Sequence, residues 1–492
     1  MRKLLPYSIT AALLLCGIAH LSIAQDKGDD ADDKRKDVFG KSFGEKVEEA
    51  VDKGCDWLKK QQGIEKGEDP AVFGEFRQQP TYGAGEPHRY RFARTAFPIQ
   101  ALCKSGVFAD EPEIVKAMNY LRKHYKEEGV IQSLAGNVSS STYEDATVIN
   151  AVEAYYISAW EAKDRGLDNI KKRQKDGIKR WGTEEKGAKE AKKKKKERNF
   201  KLSKEDQKIC ELAVKALEAR ARKAYGAQGW RYQPSGRGEN QPDVDISATQ
   251  YALLGFKCAS RLGIRYNKSI LMDAFHLFRT WQDKDGPEVV RKAKDADGKA
   301  VEEPEDKEPK KDPNKGTRVY RPKQKDKARG WSYCRKDHHA ERDLTTCGSM
   351  TAAAICGLVI LRDEVETDPA MKQRWSKVED DCDQMISDGL AWLVVNWTMA
   401  ENPKLGTYRY LYYLYTMERL GMLGGVDYID KYDWYMEGAD QLLKLQQDNG
   451  MWYTKTEIEP GDIYDTCYAL LFLKRAEEGI DRPKPVFTGE ED

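Results

Sequence analysis

The feature that most constrains the fold is a helical hairpin that recurs along the chain. Its clearest copy lies at residues 432–478, where an apolar helical run is followed by the turn 447–452 and a second apolar run. Apolar residues recur there at spacings of three and four, so one helix face is apolar. Gly450 can end the first helix, and Asp465 or Thr466 can cap the second. Because one hairpin cannot bury its own apolar face, repetition is how it forms a core.

The repetition predicts a two-layered, all-α fold of about six helix pairs. Patterns typical of strands are absent from the sequence. The second run of each pair is the more apolar, so we expect these runs to form an inner ring and the more charged first runs an outer one. Pro98 is expected in the first turn of its helix, where proline is tolerated. The five pairs before residue 432 are 47–62 with 94–107, 114–125 with 143–160, 209–225 with 247–262, 269–282 with 346–362, and 382–397 with 408–423.

Charged segments interrupt or flank this single predicted domain, which spans residues 43–480. Insertions at about 163–206 and 284–329 are rich in Lys, Asp and Glu and are expected to be solvated excursions. The lysine run 192–196 fits either a solvated helix or a basic arm. Residues 25–42 are expected to be disordered, and residues 481–492 form a tail. Because 83 Lys and Arg balance 82 Asp and Glu, no nucleic-acid partner is expected.

The N-terminus predicts export. Arg2 and Lys3 precede a mostly apolar stretch, and small residues before Gln25 offer a cleavage site. Residues 1–24 are therefore expected to be a signal peptide and the mature protein to be secreted or periplasmic, with a membrane anchor as the alternative. The rest of the sequence has no stretch long and apolar enough to span a bilayer, so no stable span is expected after signal removal.

The positions of the cysteines indicate a packing role in the core and not a chemical one. The chain has ten, of which Cys16 lies in the predicted signal peptide, and the remaining nine are scattered singly without a CxxC pair. Most of them lie in apolar helical runs and are expected to be small core residues, although an exported protein could also form disulfides.

The turns between paired helices carry a recurring pattern of Gln, Gly and Trp. Its fullest copy is Leu443-x3-Gln447-x2-Gly450-x-Trp452. Partial copies contain Leu58 and Gln62, Gln228 with Gly229 and Trp230, Gln282 and Gly286, and Arg329 with Gly330 and Trp331. The Trp can pack over a helix end, and the Gln can satisfy exposed backbone groups there.

This pattern resembles the Gln-Trp repeat of squalene and hopene cyclases (the prenyltransferase/squalene oxidase repeat). The resemblance covers most of residues 47–478 apart from the two insertions. It implies the α/α toroid that these cyclases share with the β subunits of protein prenyltransferases. A shared fold says nothing by itself about chemistry.

Asp243 and Asp245 are the candidate catalytic residues. The segment 243–249 resembles the Asp-x-Asp-Asp acid of class II terpene cyclases, in which the Asp matching Asp245 protonates an alkene or epoxide. Ile246 stands where that family has its last Asp. Such an acid must stay protonated, which requires burial beside another carboxylate or a hydrogen-bond donor. The alternative is that Asp245 or Ser247 caps a helix.

Asp465 and Cys467 resemble the Asp-x-Cys zinc ligands of protein prenyltransferases. That family takes its third ligand from a His further downstream, whereas the last His here is His339, far upstream. Zinc needs a fuller ligand set, so no metal and no other cofactor is expected. The alternative is a helix cap followed by a small core residue.

Two further groups are candidates for ligand binding. His338, His339 and Arg342 fall in one polar loop, which could hold an acid or base, bind an anion, or simply be solvated. Tyr408 and Tyr412 belong to a tyrosine-rich run, whose rings could face a cavity or fill space between helices.

The starts of the inner helices are expected to meet at one mouth of the ring. Tyr143, Asp145, Asp245 and Asp465 lie at such starts, which predicts an acidic mouth above an apolar and aromatic floor. The sequence therefore predicts an exported toroid that binds an unidentified small molecule, an isoprenoid or a saccharide, without standard cyclase or prenyltransferase chemistry. The alternative is a terpene cyclase-like or saccharide-acting enzyme that uses Asp245 as its acid.

Overall fold

The computed structural model describes residues 42–63, 76, 91–126, 141–181, 201–224, 227–231, 244–289, 292–294, 300–302, 319–320, 326–334, 341–366, 368–454 and 461–476. The chain divides into Met1–Gly44 and a compact unit, Glu45–Asp492, that contains the helical fold. The predicted signal peptide, residues 25–41 of the predicted disordered segment, and the tail lie outside the described residues.

Helices dominate the described part of the chain. They are α1 (Phe43–Lys60), α2 (Arg91–Lys104), α3 (Pro112–His124), α4 (Thr142–Asp164), α5 (Ile170–Asp176), α6 (Lys204–Arg220), α7 (Ile246–Arg261), α8 (Ser269–Trp281), α9 (Glu341–Leu344), α10 (Gly348–Glu366), α11 (Lys372–Trp375), α12 (Glu379–Val395), α13 (Tyr410–Gly424), α14 (Trp434–Leu445) and α15 (Gly461–Leu473).

The described residues contain three small sheets, which the sequence did not predict. Their strands are β1 (Arg222–Ala224), β2 (Ala227–Gly229), β3 (Lys292–Lys294), β4 (Ala300–Glu302), β5 (Val319–Tyr320) and β6 (Tyr428–Ile429). Strands β1 and β2 pair antiparallel, as do β3 and β4, and β5 pairs in parallel with β6.

Six helices form a closed inner ring. Around the ring the order is α2, α4, α7, α10, α13 and α15; each helix packs against the next, and α15 packs back against α2. Outer helices pack on them: α3 on α2, α6 on α4, α8 and α12 on α10, and α14 on α15. The chain is therefore an all-α protein with an α/α toroid, as the repeats and the resemblance implied.

The inner helices run in the same direction. At one end, hydroxyl groups near the starts of α4, α7 and α13 meet through Tyr143, Ser247 and Tyr412. At the other end, Glu153 of α4 pairs with Lys104 in the last turn of α2 and Arg261 in the last turn of α7. The starts of α4, α7 and α13 therefore lie at one mouth of the ring, as the sequence analysis expected for the inner helices.

The tryptophans of the turns close the ends of outer helices. The indole N–H groups of Trp230, Trp331 and Trp452 donate to the carbonyls of Leu217, Phe278 and Leu442, at 2.7–2.8 Å. The backbone N–H of each Trp donates to a threonine of the following inner helix at 3.1 Å; these are Thr249, Thr351 and Thr466. Each indole thus caps the carbonyl end of an outer helix and ties that helix to its inner partner; the Phe278 and Leu442 carbonyls also accept the backbone N–H of their C-cap residues.

The glutamines of the turns reach the next repeat. The Gln62 amide donates to the carbonyl of Glu113 in α3, and the Gln282 amide donates to that of Met385 in α12. In the last turn this role belongs to Gln446, whose amide donates to the Ala50 carbonyl at 2.8 Å. The sequence analysis assigned it to Gln447, which is wrong by one residue.

The last turn also closes the ring on the first helix. The fully buried ring of Trp452 packs on Gly54 of α1, where a Cβ atom would lie 2.6 Å from the indole. The two pairs Gln446–Ala50 and Trp452–Gly54 form what we call the closing contact. Trp331 packs in the same way on Gly389 of α12. A glycine facing each of these indoles therefore lets the turn of one repeat approach the outer helix of another.

Two helix starts differ from the predicted ones. Helix α2 begins at Arg91, three residues earlier than predicted, so Pro98 lies inside it and not in the first turn. Helix α15 begins at Gly461, so Asp465 and Thr466 lie within the helix and do not cap it. In both cases the helix extends beyond the apolar pattern from which its start was predicted.

The described parts of the two insertions are anchored to the ring. After α5, the Arg180 guanidinium donates to the Ser105 carbonyl at 2.9 Å and to Asp52 of α1. At the end of the second insertion, Arg329 Nε donates to the buried Asp388 of α12 at 2.8 Å. Both segments therefore contain docked residues as well as solvated ones.

The cysteines lie in the core, as the sequence analysis expected. All nine cysteines after residue 24 are buried, and none of them forms a disulfide bond. Burial raises the pKa of the Cys55 thiol to about 12, so it is an inert core group. Within the described residues, no helix combines the length and apolar character needed to cross a membrane.

Candidate functional site

Three inner helices are joined at the mouth by a chain of hydroxyl groups. Tyr143 donates its hydroxyl proton to Ser247 Oγ at 2.9 Å, and Ser247 donates to the Tyr412 hydroxyl at 2.9 Å. We call this the hydroxyl bridge. Tyr143 is half-buried, whereas Tyr412 is buried. Burial raises the pKa of Tyr412 well above its usual value, so it stays a neutral phenol that can donate and accept.

The centre of the ring below the bridge is filled by aromatic rings. The tyrosine cluster consists of Tyr143, Tyr251, Tyr412, Tyr415 and Tyr468. Tyr251 stacks on Tyr412 with ring centroids 6.4 Å apart, and its hydroxyl lies 3.2 Å from that of Tyr468. Tyr468 also packs edge-on to Tyr412, at 5.7 Å. The cluster combines apolar faces with hydroxyl groups at the open end of the toroid.

A buried arginine lies within this cluster. The guanidinium carbon of Arg419 is 3.5 Å from the ring centroid of Tyr415 and 5.3 Å from that of Tyr251. The residue is only 1% exposed. The central aromatic cage therefore already holds a cation that belongs to the protein.

Asp245 caps a helix at the edge of this cluster. Its Oδ1 atom accepts from the Ala248 N–H at 2.6 Å, at the start of α7. Its Oδ2 atom lies 3.7 Å from a guanidinium nitrogen of Arg231. The carboxylate is therefore engaged by the protein itself, through the start of α7 and the nearby charge of Arg231.

Glu144 is a buried acid next to the mouth. Its Oε1 atom accepts from the Phe92 N–H at 3.0 Å and so satisfies the start of α2. Burial raises the pKa of Glu144 to about 8; the Phe92 N–H opposes that rise and the Asp145 charge adds to it. It does not cap its own helix: the N-cap of α4 is Ser141, whose side chain accepts from the Glu144 N–H.

The raised pKa of Glu144 predicts that stability falls as pH rises. Between the ordinary carboxyl pKa of 4.5 and about 8, the folded protein holds a proton that the unfolded chain has lost. Stability is then largest below about pH 4.5 for this group, and falls by a few kcal/mol up to about pH 8. Glu144→Gln keeps an acceptor for Phe92 and should flatten this fall, as measured by urea denaturation at pH 5 to 9. The exposed Glu401→Gln is the control, and an unchanged pH slope in Glu144→Gln would contradict the assignment.

Other predicted binding residues lie away from the cluster. Asp145 is fully buried, accepting from Tyr125 at 2.7 Å and from Arg220 Nε at 2.7 Å. Asp465 accepts from the backbone and hydroxyl of Thr454, in the turn after Trp452. Tyr408, which the structure leaves half-buried, lies before α13. The mouth is therefore less acidic than predicted, because these two carboxylates are engaged by other elements.

Four predicted site residues cannot be placed. Asp243, His338 and His339 lie outside the described residues, and of Arg342 only the backbone within α9 is described. Among the described residues, no group of three or more His, Cys, Asp and Glu side chains could hold a metal ion. Cys467 is fully buried in the core.

Sequence reasoning missed Ser247, Tyr251, Tyr468 and Arg419. The signal was available in the helical period. Tyr412, Tyr415 and Arg419 follow one another at spacings of three and four on α13, and Ser247 and Tyr251 do so on α7. Following this stripe inward from each predicted helix start would have placed them on the ring axis.

Comparisons with known proteins assign no family. No protein-family model matches the chain, and no curated protein does. Among solved structures it is similar to a family 76 glycoside hydrolase from a bovine Bacteroides thetaiotaomicron strain, with 6% identity over 87% of this chain and 77% of that chain and a TM-score of 0.37. A likeness of that degree carries no argument about activity. The class that the fold defines is the α/α toroid, and the resemblance to cyclases and prenyltransferases extends no further than that class.

Proposed function

We propose that the mouth of the toroid binds a polyhydroxylated small molecule, a saccharide. The hydroxyl bridge is the observation that carries this proposal, because Tyr143, Ser247 and Tyr412 come from three different helices and meet at one place. Each hydroxyl can donate and accept, as the hydroxyls of a sugar do. The half-buried rings of Tyr143 and Tyr468 add apolar faces beside these groups.

The same cluster argues against isoprenoid cyclisation, the chemistry of the family that the turns resemble. Carbocation intermediates need an aromatic cage free of positive charge, and Arg419 occupies the faces of Tyr415 and Tyr251. Asp245 caps α7 and lies near Arg231, so its carboxylate is already engaged by the protein itself. A catalytic role for Asp243 and Asp245 on a saccharide is the second candidate, and we place it below binding.

Export fits this proposal. The predicted signal peptide would bring the domain to the periplasm or the outside of the cell, where free and polymeric sugars occur. N-terminal sequencing of protein recovered outside the cytoplasm should start near Gln25; intact Met1 in that protein would contradict cleavage.

The experiment is a titration of neutral sugars with single hydroxyl deletions. Isothermal calorimetry would use glucose, galactose, mannose and N-acetylglucosamine with wild type, Tyr143→Phe and Ser247→Ala. Loss of one hydroxyl should weaken binding by about fivefold to tenfold, since a hydrogen bond contributes about 1 kcal/mol. Tyr410→Phe is the matched control, because its hydroxyl donates to the Met399 carbonyl outside the cluster. If neither Tyr143→Phe nor Ser247→Ala changes the affinity for a sugar, the proposal is wrong.

A further inference from the structure

The guanidinium of Arg419 has no carboxylate partner. None of its three nitrogen atoms makes a well-formed hydrogen bond or an ion pair within the described residues. It lies close enough to the Tyr251 hydroxyl to oppose the rise in the pKa of that group. Removing a charge from water is costly unless the charge is paired. The faces of Tyr415 and Tyr251 offset part of that cost through cation–π contacts. An unpaired arginine at the centre of a ring therefore needs a further reason to be there.

Other buried polar groups near the ring axis share this condition. The Tyr415 hydroxyl and both amide atoms of Gln250 are buried and make no hydrogen bond with described residues. Tyr415 lies on α13 with Arg419, and Gln250 precedes Tyr251 on α7. Most buried polar atoms in folded proteins are hydrogen-bonded, so an unpaired hydroxyl on the ring that contacts Arg419 marks a place where a ligand can bond.

The carboxylates of neighbouring helices are committed to other partners. Glu153 of α4 pairs with Lys104 and Arg261, and Asp245 caps α7. No carboxylate of the described residues forms an ion pair with Arg419. A planar guanidinium that presents its N–H groups in a fork fits a carboxylate better than any neutral group.

The position of Arg419 connects it to the mouth. Long side chains in a helix lean toward its N-terminus, so this guanidinium reaches back to the level of Tyr415, one turn below Tyr412. Tyr412 in turn belongs to the hydroxyl bridge. A ligand that contacts the bridge would thus have Arg419 directly beneath it, behind the rings of the tyrosine cluster.

We propose that Arg419 binds the carboxylate of an acidic saccharide, a uronic acid, whose hydroxyl groups engage the hydroxyl bridge. This inference rests on the proposed saccharide function and adds the charge of the ligand. The tyrosine cluster must then open enough to admit the carboxylate, because Arg419 is buried in the structure.

Matched sugar pairs test the inference. Calorimetry would compare glucuronate with glucose and galacturonate with galactose, and would include acetate as a bare carboxylate. Wild type should prefer the acid of at least one pair by about tenfold to one hundredfold, the effect of one charged hydrogen-bonded contact. Arg419→Gln should lose that preference while it keeps any affinity for the neutral sugar.

A stability measurement separates this role from a structural one. Arg419→Met removes an unpaired buried charge, so its ligand-free melting midpoint should equal or exceed that of wild type, while the uronate-induced rise disappears. Arg220→Met is the matched control: Arg220 is also buried but is paired with the buried Asp145, so this variant should melt lower and keep the uronate-induced rise. A large loss of ligand-free stability in Arg419→Met would assign the arginine to the core and overturn the inference.

The outcomes separate the two proposals. Equal affinity for acid and neutral sugar overturns the anion inference and leaves saccharide binding standing. Arg419-dependent binding of acetate, without binding of any sugar, supports the anion site and overturns the saccharide. If wild type binds none of these probes, both proposals are wrong.

Discussion

Replacing Trp452 with alanine should lower the free energy of unfolding by about 3–5 kcal/mol. The indole is fully buried, donates to the Leu442 carbonyl at 2.8 Å, and packs on Gly54 of the first helix. The substitution therefore leaves a cavity at the closing contact and an exposed helix end beside it. Urea denaturation followed by circular dichroism measures the loss.

Tyr453→Ala is the control for this substitution. Tyr453 is the neighbouring aromatic residue and is 39% exposed, so its loss should change stability by no more than about 0.5 kcal/mol. If the two variants unfold at the same urea concentration, the closing contact does not stabilise the ring.

Replacing Arg220 with methionine should also cost about 3–5 kcal/mol. The side chains of Arg220 and Asp145 are 2% and 0% exposed, and Arg220 Nε lies 2.7 Å from Asp145 Oδ2. Removing the guanidinium leaves the buried carboxylate of Asp145 without its cationic partner. The resulting loss of stability is far larger than the net contribution of the ion pair. The same denaturation experiment measures the effect.

A second substitution shows whether the stranded charge is the cause. Asp145→Asn in the Arg220→Met background keeps an acceptor for Tyr125 and removes the charge, so it should recover part of the stability. Arg279→Met is the surface control, because Arg279 and Asp381 are about half exposed and such pairs contribute little. A double variant that is less stable than Arg220→Met would contradict this explanation.

The fold was predictable because its signals are local. The spacing of apolar residues located the six inner helices, and the turn chemistry of Trp452 and its counterparts gave the repeat. Helix starts were less well predicted. The apolar pattern did not show that α2 extends three residues before Arg94, nor that α15 starts before Asp465.

The site was only partly predictable because it depends on contacts across the ring. Tyr412 stood out in a tyrosine-rich run, but its partners Ser247 and Tyr143 are 165 and 269 residues away in sequence, and no local pattern pairs them. The predicted acidic mouth fails for a different reason. Asp145 sits at a helix start, as expected, but a buried carboxylate needs a partner, and Arg220 provides one on the outer helix.

The closing contact also bears on the order in which the chain folds. Gln446 and Ala50 are 396 residues apart, so this contact cannot form until most of the chain has left the ribosome. Contacts between such distant residues slow folding, because the entropy cost of closing a long loop comes before the favourable contacts can form. Until then α1 presents the surface around Gly54 to solvent, and partly synthesised chains are expected to be prone to aggregation there. Docking of the first helix onto the last repeat is thus expected to be the late step that commits the nascent chain to its native state.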